Sequence, residues 1–412
     1  MNAFSNAVQS IRQNRLRSAL AGFGIAWGIF LLVIFQGIGT GFRSGVMSMF
    51  SAFAQKSLFV YGGVASITTA TMNAGTQVTF DSGIEQSLIK RYPCITYCSP
   101  EMTSQQMQIS SDGEVMFASV KGVGESYFKI KILNSEEGRL ISKLDDNGSR
   151  NVAVIGKGVA QSLFGKHSGV GKMVNIGGYI FQVIGLLASD DLFSMQERNS
   201  VYIPSGTFNS CFNVDGRVSA MCLSLSDNAN SIEVEKDIKG YLAWKYGFDA
   251  HDDKAVYISN IESQTKVFDG LFNGLDALIW VVGICLLLSG IVGVCNVMLI
   301  IVKERTNEIG IRKAVGATSA SVIRMIMAES ITVTFMGGLI GSALGTAVVL
   351  LANNFIMPML DSDIMGSLQV DLFTIVMAFI VLCICGVAAG LFPALKASTI
   401  TPVDAIRYEN RE

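Results

Sequence analysis

Few residues in this chain have the type and spacing for catalysis or metal binding. Its two histidines, His167 and His251, lie in no pattern of cysteines or carboxylates with the spacing a zinc ion requires. The segment GKHSGVGKM is the nearest approach to a phosphate-binding loop. Five residues separate Gly165 from Gly171 where a P-loop has four, and Met173 stands where a magnesium-binding Ser or Thr belongs. The expectation there is a turn leading into a strand at Met173. Acidic pairs at Asp145/Asp146, Asp190/Asp191 and Asp252/Asp253 have the residue type for acid–base work, but adjacent carboxylates in loops are ordinarily solvated surface. No G-x-S-x-G nucleophile elbow occurs. These residues predict a non-catalytic chain without a metal or cofactor of its own.

The spacing of small residues is more informative. Gly24 and Gly28, then Gly337, Gly341 and Gly345, then Gly386 and Gly390 recur four apart, which sets each group on one helix face and lets helix backbones approach closely in lipid. Glycine is frequent in membrane spans, so a single pair carries less weight than the stacked trio. Polar groups in or near these segments are few: Gln36, Asp276, Asn296 and Glu329. They form no relay of ionisable groups like that of a proton-coupled carrier.

The glycines lie in apolar segments 18–39, 275–302, 325–352 and 372–395, each long enough to cross a hydrocarbon core. The whole chain is 50% hydrophobic and 16% charged, which fits neither an ordinary soluble protein nor one made only of spans. A net charge of -2 provides no basic field for nucleic acid. Orientation follows from local charge. Arg12, Arg15 and Arg17 precede the first span; Lys303, Arg305, Arg312, Lys313 and Arg324 fill the loop 303–324; Lys396, Arg407 and Arg411 follow the fourth span. The loop 353–371 carries Asp361, Asp363 and Asp371 but no positive residue. The positive-inside rule then predicts cytoplasmic termini, a cytoplasmic loop 303–324 and a cytoplasmic tail 396–412, with 40–274 outside. The first span is too long for a signal-peptide core, and no A-x-A site follows it. Before it, segment 1–17 reads either as an amphipathic helix on the inner membrane surface, through Phe4, Ala7, Val8 and Ile11, or as an unordered tail.

The predicted fold class is thus a membrane protein of four transmembrane α-helices with a mixed α/β extracytoplasmic domain inserted between the first and second. Within that domain SLFVY and VMFASVKGV read as strands, NVAVIGKGVAQSLFG as strand, turn and short helix, and the stretch from Ser231 to Trp244 as a helix. KMVNIGGYIFQVIGLL reads as a hairpin turning at Gly177-Gly178. The length suits one domain, with two lobes an option. Cys94, Cys98, Cys211 and Cys222 lie in it; spacing leaves open whether Cys94/Cys98 or Cys211/Cys222 pair or all stay free. In the loop 303–324 the chain reads helical from Glu304, with Glu308 and Arg312 as an i,i+4 pair, Ile311, Ala314 and Val315 on an apolar side, and an end at Gly316. Such a helix suits a groove on a cytoplasmic partner, and the same spacing also fits a solvated turn.

The run SGIVGVCNVMLIIVKERTNEIGIRKAVGA resembles the signature of the MacB/FtsX-like permeases, membrane subunits of the mechanotransmission class of ATP-binding-cassette systems. NRLRSALAGFGIAWGIF and GLFPALKASTITPVDAIRYE agree with it, and NVAVIGKGVAQSLFG, GKMVNIGGYIFQVIGLL and VYIP look like the periplasmic core domain of MacB-type members. The resemblance implies a permease dimer, homo- or heterodimeric, in the inner membrane. Each chain would be bound to a separate ATPase that holds ATP and Mg, because MacB itself carries a fused ATPase domain that this chain is expected to lack. A periplasmic adaptor is a further possible partner. It implies that Glu304, Arg305, Glu308, Ile309, Gly310, Arg312, Lys313 and Gly316 form the region that meets the ATPase. Members transmit ATP-driven motion to their ectodomains and open no channel. Regulation of a cell-wall hydrolase and lipoprotein release are the alternative roles in such relatives.

Overall fold

A computed structural model describes residues 15–51, 53–165, 167–188, 197–212, 217–356, 368 and 372–399. Residues 1–14 of the N-terminal segment 1–17, the Asp190/Asp191 pair, the acidic residues of the loop 353–371 and the tail beyond 399 lie outside the described residues. The chain divides into two compact units, Val46–Asp269 and the combination of Met1–Gly45 with Gly270–Glu412.

The first helix, α1 (Arg15–Ser51), runs well past the apolar stretch that suggested it. The unit that follows in sequence is a sheet of ten strands: β1 (Ser57–Gly62), β3 (Ile95–Ser111), β4 (Glu114–Val123), β5 (Asn134–Gly138), β6 (Val152–Ile155), β7 (Met173–Ile176), β8 (Tyr179–Ala188), β9 (Ser200–Pro204), β11 (Ala220–Leu225) and β12 (Val256–Asn260). A separate small pair joins β2 (Phe80–Asp81) to β10 (Arg217–Val218). Between strands lie α2 (Ile84–Arg91), α3 (Glu125–Ile130), α4 (Lys143–Asn147), α5 (Lys157–Phe164), α6 (Ser205–Phe212) and α7 (Ser231–Tyr246).

Six strands close into a ring, because β3 pairs β4, β4 pairs β9, β9 pairs β6, β6 pairs β8, β8 pairs β7 and β7 returns to β3. The 17-residue β3 makes this possible. Its register slips between Ser104 and Met107, and Gln106 takes φ 55° there. A bulge of this kind bends a strand and increases its twist. The first half of β3 therefore pairs β11, while its second half pairs β7. Ile109, Val174, Phe181, Val183 and Val201 belong to the main buried cluster. The β7–β8 hairpin turns at Gly177 and Gly178, φ 57° and 96°, a conformation that side chains with a Cβ resist. GKHSGVGKM leads into β7 through Gly169 and Gly171, both at positive φ.

A second cluster covers the opposite side of the sheet: Phe59, Val123, Tyr127, Phe128, Ile130, Leu187, Tyr202 and Cys222. Beside it lies a buried ionic network. Lys121 is 2% exposed and its Nζ lies 3.1 Å from Glu197 Oε2, while Lys131 Nζ lies 2.8 Å from Glu197 Oε1. Burial alone would raise the Glu197 carboxyl, but Lys131 and Lys121 hold it below its ordinary range. Burial likewise opposes the Lys131 charge, yet Glu101 and Glu197 leave it above the ordinary range.

Asp145 and Asp252 correct the expectation of a solvated surface, whereas Asp253 is exposed as expected. Asp145 is fully buried, receiving hydrogen bonds from Arg139 and from the backbone and hydroxyl of Ser142, where it completes the cap of α4. Asp252 is also buried and accepts from the backbone of Ser66, Ile67, Lys254 and Ala255. Asp146 accepts from the Ser205 hydroxyl at 2.7 Å. These aspartates tie loops together where short polar turns leave backbone N–H groups unpaired. All four ectodomain cysteines are free thiols.

Beyond the sheet come α8 (Ile261–Glu304), α9 (Thr306–Ala314), α10 (Ser319–Leu351), a π-helical turn at Ala352–Ile356, and α11 (Leu372–Ser398). Helix α8 has 44 residues, so its helical rod begins ahead of the apolar stretch at 275. Among the described residues four helices, within α1, α8, α10 and α11, are long and apolar enough to cross a membrane.

Candidate coupling surface

Helix α9 follows a one-residue break in α8. Arg305 has φ -96° and ψ 13°, and Thr306 compensates by donating its hydroxyl to the Val302 and Lys303 carbonyls. The short helix read from Glu304 is therefore present but begins at Thr306, and Glu304 closes α8. At the far end Gly316, φ 102°, turns the chain towards α10.

The eight residues assigned by resemblance divide between two surroundings. Ile309 and Gly310 are buried, with Ile309 packed among Val302, Val322, Ile326, Ala394 and Ala397. Arg305 faces inward, its Nη1 lying 3.5 Å from Glu329 Oε2. Lys313 donates to the Ser398 carbonyl. Glu304, Glu308, Arg312 and Gly316 are exposed, and Arg312 donates to Glu308 at 2.6 Å. The other open side is apolar. Ile311 is 58% exposed and Val315 84%, with Ala314 exposed between them. The i, i+3, i+4 spacing gathers these three on one face.

The glycines meet specific neighbours. A methyl built on Gly337 would lie 2.8 Å from the Gly22 carbonyl oxygen, one on Gly341 2.3 Å from that of Ala26, and one on Gly345 2.9 Å from Val33 Cβ. This face of α10 lies against α1. Gly24 and Gly28 point towards α8 instead, meeting Gly290 and Leu286 at 3.4 and 3.5 Å. Gly386 and Gly390 of α11 face Thr334 and Ser330 of α10, and Ser330 donates to the Gly386 carbonyl. The sequence reading passed over Gly290, against Ile25 and Gly24, and Gly338, against Leu382. Neither belongs to a four-residue spacing, so only the partner helix reveals them. It also left unassigned the contacts of Asp276 with Gln36 and Arg43.

Among the described residues no three His, Cys, Asp or Glu side chains gather as metal ligands. His251 pairs with Asp249 at an exposed turn.

Apolar helices of this length, with a folded α/β unit between the first and second in sequence, fit a multipass membrane protein carrying a large extramembrane domain. Residues 18–241 match the MacB-like periplasmic core domain, and residues 280–402 match the FtsX-like permease C-terminal domain. The chain belongs to the MacB/FtsX-like family of ATP-binding-cassette transporter permeases. It is 28% identical over 406 residues to the macrolide export ATP-binding/permease protein MacB of Bdellovibrio bacteriovorus, covering 97% of this chain and 61% of that protein. The MacB of Neisseria meningitidis serogroup A is 26% identical over 410 residues, covering 99% and 61%. The chain thus spans about three-fifths of the length of these relatives. The periplasmic region of MacB from Actinobacillus actinomycetemcomitans aligns with a TM-score of 0.44 and 19% identity, over 53% of this chain and 95% of that one.

Proposed function

We propose that this chain is the permease subunit of an export or extraction system in which a separate ATPase subunit hydrolyses ATP. Helix α9 receives the ATPase, and two permease chains, identical or related, work together. Both termini and the loop 303–324 are cytoplasmic, and the β-sheet domain is periplasmic, where it acts on a substrate or partner. The permease itself is not catalytic; ATP and Mg belong to the ATPase.

The observation that carries this reading is the open stripe of Ile311, Ala314 and Val315 on a helix outside the spans, flanked by the Glu308–Arg312 pair. Exposed apolar side chains on a short helix anchored through Ile309 and Lys313 suit a hydrophobic cleft on a partner, with charges at the rim fixing orientation. Anchoring matters because a helix of 9 residues would not be stable alone. Motion delivered to α9 passes into α8 and α10, which lead towards the periplasmic side. The packing of α1 against both α8 and α10 favours movement of these helices as a set.

The test is copurification of the full chain with its ATPase subunit, which this reading expects to be encoded in a neighbouring gene. Val315→Asp and Ile311→Asp are expected to weaken association about tenfold or more, as truncating a central anchor does. Glu308→Lys and Arg312→Glu are expected to weaken it less. Unchanged association in all four variants would overturn the assignment of α9 as the docking helix.

A further inference from the structure

Glu329 is a carboxylate on α10, 5% exposed and flanked by Ala328 and Ser330 in a helix long and apolar enough to span the bilayer. An acidic side chain in such a place is costly, so its surroundings indicate its purpose. Its carboxylate meets the guanidinium of Arg305, the single residue that breaks the rod between α8 and α9. The Arg305 N–H donates to the Ile301 carbonyl at the end of α8, and the Arg305 carbonyl accepts from Ile309 at the start of α9, both at 3.0 Å. Arg305 is therefore the residue at which the bonding of α8 ends and that of α9 begins, and its side chain reaches across to α10. One position further on, Ser330 donates to the Gly386 carbonyl of α11.

We infer that Glu329 is a positioning residue: by holding Arg305 at the α8–α9 joint, it makes the input helix α9 and the first half of α10 move as one body. Ile309 also packs α9 against Val322 and Ile326 of α10, beyond the joint; at the joint itself, without Glu329, part of a push on α9 would be absorbed by bending at Arg305. This deepens the proposed function and rests on it for the source of the push. The mechanical tie itself is a property of the chain alone.

Hydrogen exchange read by mass spectrometry on the full chain in nanodiscs, with no ATPase added, tests the tie. Glu329→Ala and the isosteric Glu329→Gln are compared with wild type over peptides covering 303–316 and 319–334. Loss of a buried charge-assisted contact is expected to speed exchange in 303–316 by about tenfold, less for Gln than for Ala. The double exchange Arg305→Glu with Glu329→Arg is expected to restore slow exchange. Exchange in 303–316 that stays at the wild-type rate in folded Glu329→Gln and Glu329→Ala overturns the inference. So does a folded double exchange as fast as Glu329→Ala, since the carboxylate would then act by bulk and not through Arg305. Adding the ATPase and ATP separates the two readings. If the tie is present but no form of the chain binds the ATPase, the docking assignment falls and the tie stands.

Discussion

Gly341→Ala tests how closely α1 and α10 are packed. The added methyl would sit 2.3 Å from the Ala26 carbonyl oxygen and 3.0 Å from its carbonyl carbon and Cα, where ordinary contact begins at 3.4 Å. The obstacle is backbone, so no rotamer change relieves it, and the helices must part by roughly 1 Å along their shared face. Overpacking of this kind costs about 1–3 kcal/mol, and a rigid obstacle places the cost in the upper half. Better intrinsic helix propensity returns up to about 1 kcal/mol, leaving a net loss of about 1–2 kcal/mol. Gly293→Ala is the control, because a methyl there meets nothing within 4 Å, and Gly24→Ala, at 3.4 Å from Gly290 Cα, falls between. The assay is reversible unfolding of the full chain in mixed micelles, titrated with SDS and followed by far-UV circular dichroism. The expected order of stability is Gly293→Ala, then Gly24→Ala, then Gly341→Ala. If Gly341→Ala unfolded at the same midpoint as Gly293→Ala, the argument for close backbone approach at this face would be wrong.

Other expectations follow from the ectodomain. The Arg139 guanidinium and the Ser142 contacts hold the Asp145 carboxyl below its unfolded range. Its contribution is therefore fully present above about pH 4 and is lost as pH falls towards the folded value. Asp145→Asn should lower stability at pH 7 and flatten the acid limb of a stability–pH curve; an acid limb unchanged from wild type would tell against this. Lys121→Ala leaves Glu101 and Glu197 with one buried cation fewer and should cost about 3–5 kcal/mol in urea unfolding, whereas an effect under about 0.5 kcal/mol would mean the network is not a working ion cluster. Burial pushes the Cys98 and Cys222 thiols well above their ordinary range. Peptide mapping after brief maleimide treatment of the folded protein should find label at the partly exposed Cys94 and Cys211 and little at Cys98 or Cys222. Equal labelling of all four would contradict the burial.

Local signals carried much of the fold. Gly177-Gly178 between apolar arms specifies a hairpin whatever surrounds it, and NVAVIG before KGVAQSLFG gives β6, its turn and α5 without help from distant residues. A second turn of the same kind, Asp112-Gly113 between β3 and β4, was equally legible and went unread. Closure of the ring was not legible, because pairing of Ile109 with Ile176 leaves no trace near either residue. The helix boundaries moved for a related reason. Apolarity marks only the lipid-crossing part, whereas α1 and α8 continue as helix where polar residues suffice. Spacing placed the trio on α10 and the pair on α1, yet could not say that Gly337 and Gly341 meet backbone at under 3 Å, and Gly345 the Val33 side chain, while the pair keeps van der Waals room. At the input helix, periodicity marked Ile311, Ala314 and Val315 as an apolar side. That they are open, and that Arg305 turns inward, depends on where α10 and α11 lie.

The pairing of β1 has a consequence for how the protein is made. This strand, SLFVYG, is buried over its first four residues. Its partners are β11 and β12, with Leu58 opposite both Leu223 and Asn260. During synthesis at about 5–20 residues per second, roughly 200 residues must follow β1 before its outer partner exists, an interval on the order of 10–40 s. Until β11 is made both edges of this apolar strand are unpaired, and until β12 follows one of them still is. Such a segment is prone to aggregation and proteolysis, so the biogenesis of this protein depends on something shielding β1 until the far end of the sheet arrives.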